Sequence, residues 1–135
     1  MNKSEFTIAV VDDDDSFARA IGRLFRASGF EVQTYPSGEA FLASTALRSP
    51  DCLVLDIQLG GMSGLDLLRQ LRDLGNLVPI IFVTAHDEAE VRDEAVQAGC
   101  VAYLRKPVVS RALLEAVARA LHPSSPMASS PSCNS

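Results

Sequence analysis

The sequence predicts an α/β protein: a doubly wound sheet of five parallel strands with helices on both faces. Three observations lead there. Short, nearly continuous apolar runs (FTIAVV, CLVL, IIFV and VAYL) recur along the 135 residues, as strands covered on both faces require. Longer segments with apolar residues at helical spacing separate them. Strand and helix alternate five times, which calls for crossover connections and a parallel sheet. The length suits one domain, taken as residues 1–121, and 47% apolar residues supply its core.

The first strand spans Phe6 to Val11 and ends in aspartates. Asp14 or Asp15 caps the helix after it, where the positive dipole end tolerates acid. Phe17, Ile21, Leu24, Phe25 and Ser28 mark its apolar face, and Gly29 ends it. Phe30 to Tyr35 alternates like an edge strand, and Pro36-Ser37-Gly38 opens a weaker helix through Phe41, Leu42 and Leu47. Cys52 to Leu55 is the third strand, stopping at Asp56. A glycine-rich connection, Gly60-Gly61-Met62-Ser63-Gly64, leads to a helix whose stripe is Leu65, Leu68, Leu71 and Leu74. Ile80 to Val83 is the fourth strand, followed by Thr84. The helix over about 88–98 has only Val91, Ala95 and Val96 for a core face, so it is expected to be the least firmly anchored. Val101 to Leu104 is the fifth strand, Arg105-Lys106-Pro107 comes next, and Leu113, Leu114, Val117 and Leu121 mark the last helix. Residues 122–135 are small, polar and proline-punctuated, and read as a disordered tail or the start of a linker.

Charge narrows the function classes. Seventeen acidic residues against 12 basic ones give a net charge of -5, which argues against direct nucleic-acid binding by this chain. Asp12, Asp13, Asp14 and Asp15 are consecutive; without them 17 acidic residues fall to 13, nearly balancing the 12 basic ones. No apolar run approaches the ~18 residues of a membrane span. The N-terminal residues lack a signal peptide's apolar stretch, and three cysteines without metal-ligand spacing read as reduced thiols, so a cytoplasmic setting is expected.

The informative residues stand at strand ends. Asp12 and Asp13 come after the first strand, Asp56 after the third and Thr84 after the fourth, and Lys106 lies just past the fifth. In an open parallel sheet ligands bind outside the carboxyl ends of the strands, near the topological switch point. Each residue alone is ordinarily a cap, turn or surface group; their joint occurrence at four strand ends predicts one site. Carboxylates so close repel unless a cation sits among them, and hard oxygen ligands suit Mg²⁺. A metal and a lysine around a carboxylate suit phosphoryl transfer onto that carboxylate. Asp56 is the best-positioned nucleophile, being single, central and followed by a loop with free backbone N–H groups.

These residues carry a resemblance. VVDDDD (10–15), LVLDIQLGGMSGLDLL (53–68), IIFVTAHDE (80–88) and AGCVAYLRKP (98–107) resemble the receiver domain of bacterial two-component response regulators over residues 6–121. Positions 13, 56, 84 and 106 lie 43, 28 and 22 residues apart, within that family's usual spacing. SGEAFLA (37–43) is most similar to the class whose outputs are helix-turn-helix DNA-binding domains. The resemblance implies a flavodoxin-like fold with strand order 2-1-3-4-5. It implies phosphorylation of Asp56 by a sensor histidine kinase, with Mg²⁺ (or Mn²⁺) held by Asp13, Asp56 and the Gln58 backbone carbonyl, and Asp12 acting through water. Lys106 would contact the phosphoryl oxygens, with a Lys106–Pro107 bond that is commonly cis. Thr84 and Tyr103 would form the switch, and Gln58, Ala85 and His86 would modulate phosphoryl lifetime. Such a chain is a phospho-acceptor signalling domain rather than an enzyme.

One position departs from the family. Gly60 stands where a proline is usual, which is expected to loosen the loop and to weaken metal binding or couple it to loop ordering. Two enzyme-like or cofactor-binding alternatives fit worse. A dehalogenase-like phosphatase needs a second acid two residues after its nucleophile, where this chain has Gln58, and a flavin module needs a phosphate loop where four aspartates stand. Two outputs remain open: a homodimer through residues 88–121 or a downstream protein, and the receiver fragment of a DNA-binding regulator.

Overall fold

Five strands and five helices alternate along the chain in this computed structural model, which describes residues 6–44, 49–86 and 88–122. The strands are β1 (Thr7–Val11), β2 (Glu31–Tyr35), β3 (Cys52–Asp56), β4 (Ile80–Thr84) and β5 (Ala102–Arg105). The helices are α1 (Asp15–Ala27), α2 (Gly38–Ser44), α3 (Gly64–Asp73), α4 (Ala89–Gln97) and α5 (Ser110–Leu121). All pairings are parallel, in the order β2-β1-β3-β4-β5. The expected five-stranded, doubly wound arrangement is present, with its switch point between β1 and β3.

The burial pattern tracks the apolar runs. Every residue of β3 and β4 is buried and β1 is buried from Ile8 onward, whereas β2 and β5 at the edges have no fully buried residue. Alternate side chains of the central strands feed two cores. Ala9, Val11, Leu53, Leu55, Ile80 and Phe82 pack with α2, α3 and α4 on one face. Ile8, Val10, Cys52, Val54, Ile81 and Val83 pack with α1 and α5 on the other. Cys52 behaves as a core residue, its thiol pushed up to about 12 by burial, and Cys100 is a half-buried thiol against the first core.

Helix starts obey the expected chemistry. Asp14 is the cap of α1, accepting a hydrogen bond from Phe17 N–H at 3.1 Å, and Asp15 is its first residue. Ser63 and Asp66 form a reciprocal capping box at the start of α3.

Two apolar side chains expected in the core lie outside it, and Ser28, placed on the apolar face of α1, is its exposed C-cap. Leu74 is 72% exposed, while Leu67 is fully buried in its stead. Steps of three residues each fall about 60° short of a turn, so by the third step the stripe has moved to the opposite side of the helix. Leu74 is also the C-cap of α3, ahead of the positive-φ turn at Gly75. Val96 is 59% exposed because α4 turns Ala95 and Val91, one turn apart, toward the sheet. Leu47, expected on α2, and the tail from 123 lie outside the described residues, as does Asp87. No helix among the described residues is long and apolar enough to cross a membrane.

Candidate functional site

The carboxyl edge of the sheet gathers the strand-end residues into one cluster. Asp12 leaves β1 nearly buried, at 3% exposure; its N–H donates to Tyr35 O at 3.1 Å. Its Oδ1 accepts from Asp14 N–H at 2.9 Å, a local turn that fixes the carboxylate. Asp13, next along, is exposed. Asp56 is the last residue of β3 and 5% exposed, with Oδ1 accepting from Gln58 N–H at 2.9 Å. A ligand oxygen from each of Asp12, Asp13 and Asp56 lies within 4.8 Å of the other two.

Lys106 reaches in from beyond β5. Its Nζ is 2.9 Å from Asp12 Oδ2 and 3.3 Å from Asp56 Oδ2. It also sits 4.2 Å from the centroid of the Phe17 ring on α1, an aromatic face that attracts a cation. The Lys106–Pro107 peptide bond is cis.

The electrostatics reflect three carboxylates against one ammonium. Burial raises the Asp56 pKa, and the Asp12 charge adds to it; the Gln58 N–H and Lys106 oppose the rise without cancelling it. Burial alone would lower the Lys106 pKa, but Asp12 and Asp56 together turn the shift upward. The ammonium is therefore held charged between two carboxylates.

Thr84 closes β4, fully buried, with Oγ1 donating to His86 O and accepting from His86 N–H, each at 3.1 Å. Its hydroxyl is thus engaged with the β4–α4 loop. Ala85 and His86 are exposed, as is Gln58. Tyr103, paired with Phe82 across the ladder, is half-buried against the α2/α3/α4 core with its hydroxyl oxygen buried.

Two residues have roles at the site that sequence reasoning misses. Helical spacing places Phe17 in a core stripe, yet it also carries the ammonium of Lys106. Composition places Gly64 in a loop, yet a Cβ there would collide with the Asp56 carbonyl oxygen and come within 2.9 Å of Ile57 Cα. Its N–H donates to Ile57 O at 3.0 Å, so α3 begins pressed against the backbone of Asp56. The glycine-rich run carries a signal for this, but it does not say which glycine is needed.

The donor set suits a small divalent cation. It is all hard oxygen, and Asp12 Oδ2 is buried 2.9 Å from the Lys106 ammonium. Asp12, Asp13 and Asp56 together fit the acidic metal pocket of a receiver domain.

An open parallel sheet thus carries an acidic cluster and a lysine at its switch point, the site of a ligand-binding α/β domain. Residues 8–118 match the response regulator receiver domain, and the chain belongs to that family. It is 37% identical over 121 residues to the response regulator protein TmoT of Ectopseudomonas mendocina, covering 90% of this chain and 55% of that protein. It is 41% identical over 113 residues to nodulation protein W of Bradyrhizobium diazoefficiens, covering 84% of this chain and 50% of that protein. Among solved structures, FixJ-N superposes with a TM-score of 0.81 at 34% identity, over 88% of this chain and 95% of that one. A receiver protein from Burkholderia phymatum superposes with a TM-score of 0.75 at 44% identity, over 87% of this chain and 95% of that one. The chain spans about half the length of the curated relatives it matches.

Proposed function

We propose that Asp56 accepts a phosphoryl group from the phosphohistidine of a sensor histidine kinase, in a Mg²⁺-dependent reaction. The observation that carries this reading is the meeting of Asp12, Asp13 and Asp56 within 4.8 Å, with Lys106 Nζ 3.3 Å from the acceptor carboxylate. Asp13, Asp56 and the Gln58 carbonyl would hold the metal (Mg²⁺ or Mn²⁺), and Asp12 would act through a bound water. The cation supplies charge neutralisation for carboxylate and phosphoryl oxygens that otherwise repel.

The chain's own residues do the rest. An Asp56 oxygen forms the new bond to phosphorus while the phosphorus–nitrogen bond of the donor breaks and its electron pair returns to the imidazole. Gln58 N–H holds the other Asp56 oxygen and so presents the nucleophile in one orientation. Lys106 exchanges its carboxylate partners for phosphoryl oxygens, and Phe17 keeps the ammonium at the site during that exchange. Thr84 gives up its bonds to His86 to meet the phosphoryl group, which releases the start of the β4–α4 loop. Tyr103 would complete the switch, and Gln58, Ala85 and His86, all exposed, would set phosphoryl lifetime.

The surface that responds is α4, β5 and α5, residues 88–121, used for dimerisation or for a downstream protein. Exposed Val96 and Val109 on this stretch favour a partner there. A second reading, the receiver portion of a DNA-binding regulator, is favoured by the coverage of relatives such as the transcriptional regulatory protein FixJ of Rhizobium meliloti, of which the chain spans 57%.

Incubation with acetyl phosphate and Mg²⁺ followed by intact mass tests the central step. One added phosphoryl group, absent in Asp56→Asn, is the expected result; undiminished labelling of that variant contradicts it. Size exclusion of the labelled protein separates self-association from a heterologous partner.

A further inference from the structure

The connection between β3 and α3 carries Gln58, the residue whose carbonyl would hold the metal. Both ends of this connection are fixed. Ile57 and Leu59 are buried, and the Ser63/Asp66 capping box and the close seat of Gly64 fix its far end. Between them Gly60 and Gly61 are exposed, and Gly61 has φ +79. Gly60 lies in open space: a Cβ there would meet no atom within 4 Å. Two glycines in sequence leave the backbone more conformations to lose than any other pair.

The restraint comes from α2, which the proposed mechanism does not use. Glu39 Oε2 accepts a hydrogen bond from Met62 N–H at 3.1 Å. The same oxygen lies 3.0 Å from where a Gly61 Cβ would stand, so the carboxylate rests on the bare Cα face of that glycine. Beside it the arrangement is mirrored: Met62 Sδ lies 3.1 Å from where a Gly38 Cβ would stand. α2 and the loop therefore meet through two missing side chains, Gly38 beneath Met62 and Gly61 beneath Glu39. α2 is itself a fixed base. Ser37 Oγ accepts from Ala40 N–H at 3.0 Å, and buried Phe41 meets the Tyr35 ring edge-on at 5.3 Å. Glu39 makes no ion pair among the described residues, so its carboxylate is committed to the loop.

We propose, resting on the assignment of the Gln58 carbonyl to the metal, that Glu39 is a positioning residue: its hydrogen bond to Met62 N–H orders the Gly60–Met62 stretch and thereby holds that carbonyl where the cation needs it. It restores from outside the order that a proline at position 60 would supply from within.

The test measures Mg²⁺ affinity by titration calorimetry on the full chain, together with amide exchange at Met62 in metal-free protein. Glu39→Ala is expected to weaken Mg²⁺ binding roughly three- to tenfold, as loss of one charge-assisted but exposed hydrogen bond would, and to speed Met62 exchange. Glu39→Gln keeps an acceptor oxygen without the charge and is expected to show a clearly smaller loss than Glu39→Ala. Gly60→Pro in the Glu39→Ala background is expected to recover affinity, since Gly60 lies outside the left-handed region and makes no backbone hydrogen bond with its N–H among the described residues. Unchanged affinity in Glu39→Ala overturns the proposal and leaves the site reading intact. A Glu39→Gln protein as weak as Glu39→Ala also overturns it, because the effect would then track charge rather than the hydrogen bond. No Mg²⁺ binding by the unsubstituted chain overturns both.

Discussion

Helices α3 and α4 pack on the same face of the sheet and are joined by the Arg69–Glu94 ion pair at 3.3 Å, yet they are anchored very differently. α3 buries Gly64, Leu65, Leu67, Leu68 and Leu71 and starts at a capping box. α4 buries Ala95 alone, and Glu88 at its start makes no side-chain cap. Each buried leucine stabilises by about 1.5–3 kcal/mol, against far less for one alanine. The helix that begins against Asp56 is thus part of a rigid frame, while the helix one strand further out is weakly held. Thr84 stands between them, and its hydroxyl is bonded to the backbone at the start of the loop to α4. A charge event at Asp56 therefore meets a frame that does not yield on one side and an element that can move on the other.

The largest expected effect lies in α3. Leu68→Ala should lower unfolding free energy in urea by about 2–5 kcal/mol, and a loss no greater than that from an α4 side chain would show that α3 is no better anchored than α4.

Next comes Asp56. Because burial raises the Asp56 pKa, its neutral form favours the fold. That contribution is complete below the ordinary value of 3.8 and is lost as pH rises through the raised value. Asp56→Asn, which does not titrate, should therefore melt higher than the unsubstituted protein at neutral pH without metal, and the gap should close on acidification. Added Mg²⁺ should raise the melting temperature of the unsubstituted chain more than that of the variant. A neutral-pH melting temperature lower in Asp56→Asn would contradict the electrostatic picture.

A cap for α4 should tighten the weakly held helix. Glu88→Ser supplies the missing N-cap acceptor and should stabilise α4 by about 1 kcal/mol, read as slower amide exchange over 89–97. The smallest effect belongs to Val96→Ala, within about 0.5 kcal/mol in the same urea measurement, because that side chain is mostly in solvent.

What the sequence disclosed and what it hid have physical reasons. Buried parallel strands are written as apolar runs, and the residue ending each run necessarily stands at the ligand edge, so Asp12, Asp56 and Thr84 were legible from position alone. The weak anchoring of α4 was legible too, because too few apolar residues recur over 88–98. Helix phase was less so: a run of leucines every three residues conceals its own drift, which misassigned Leu74 and overlooked Leu67. Contacts that depend on two distant segments meeting leave no local trace. The Phe17 ring beside Lys106 and the fit of Gly64 against Asp56 belong to that class, and so does the reach of Glu39 across 23 residues to Met62.

Peptide-resolved hydrogen exchange, before and after stoichiometric phosphorylation with acetyl phosphate and Mg²⁺, separates a rigid α3 from a movable α4. A change in exchange is expected over residues 89–105, across α4 and β5, with α3 over 64–73 unaltered. Equal change in α3 and α4, or no change in α4 despite full phosphorylation of Asp56, would contradict it.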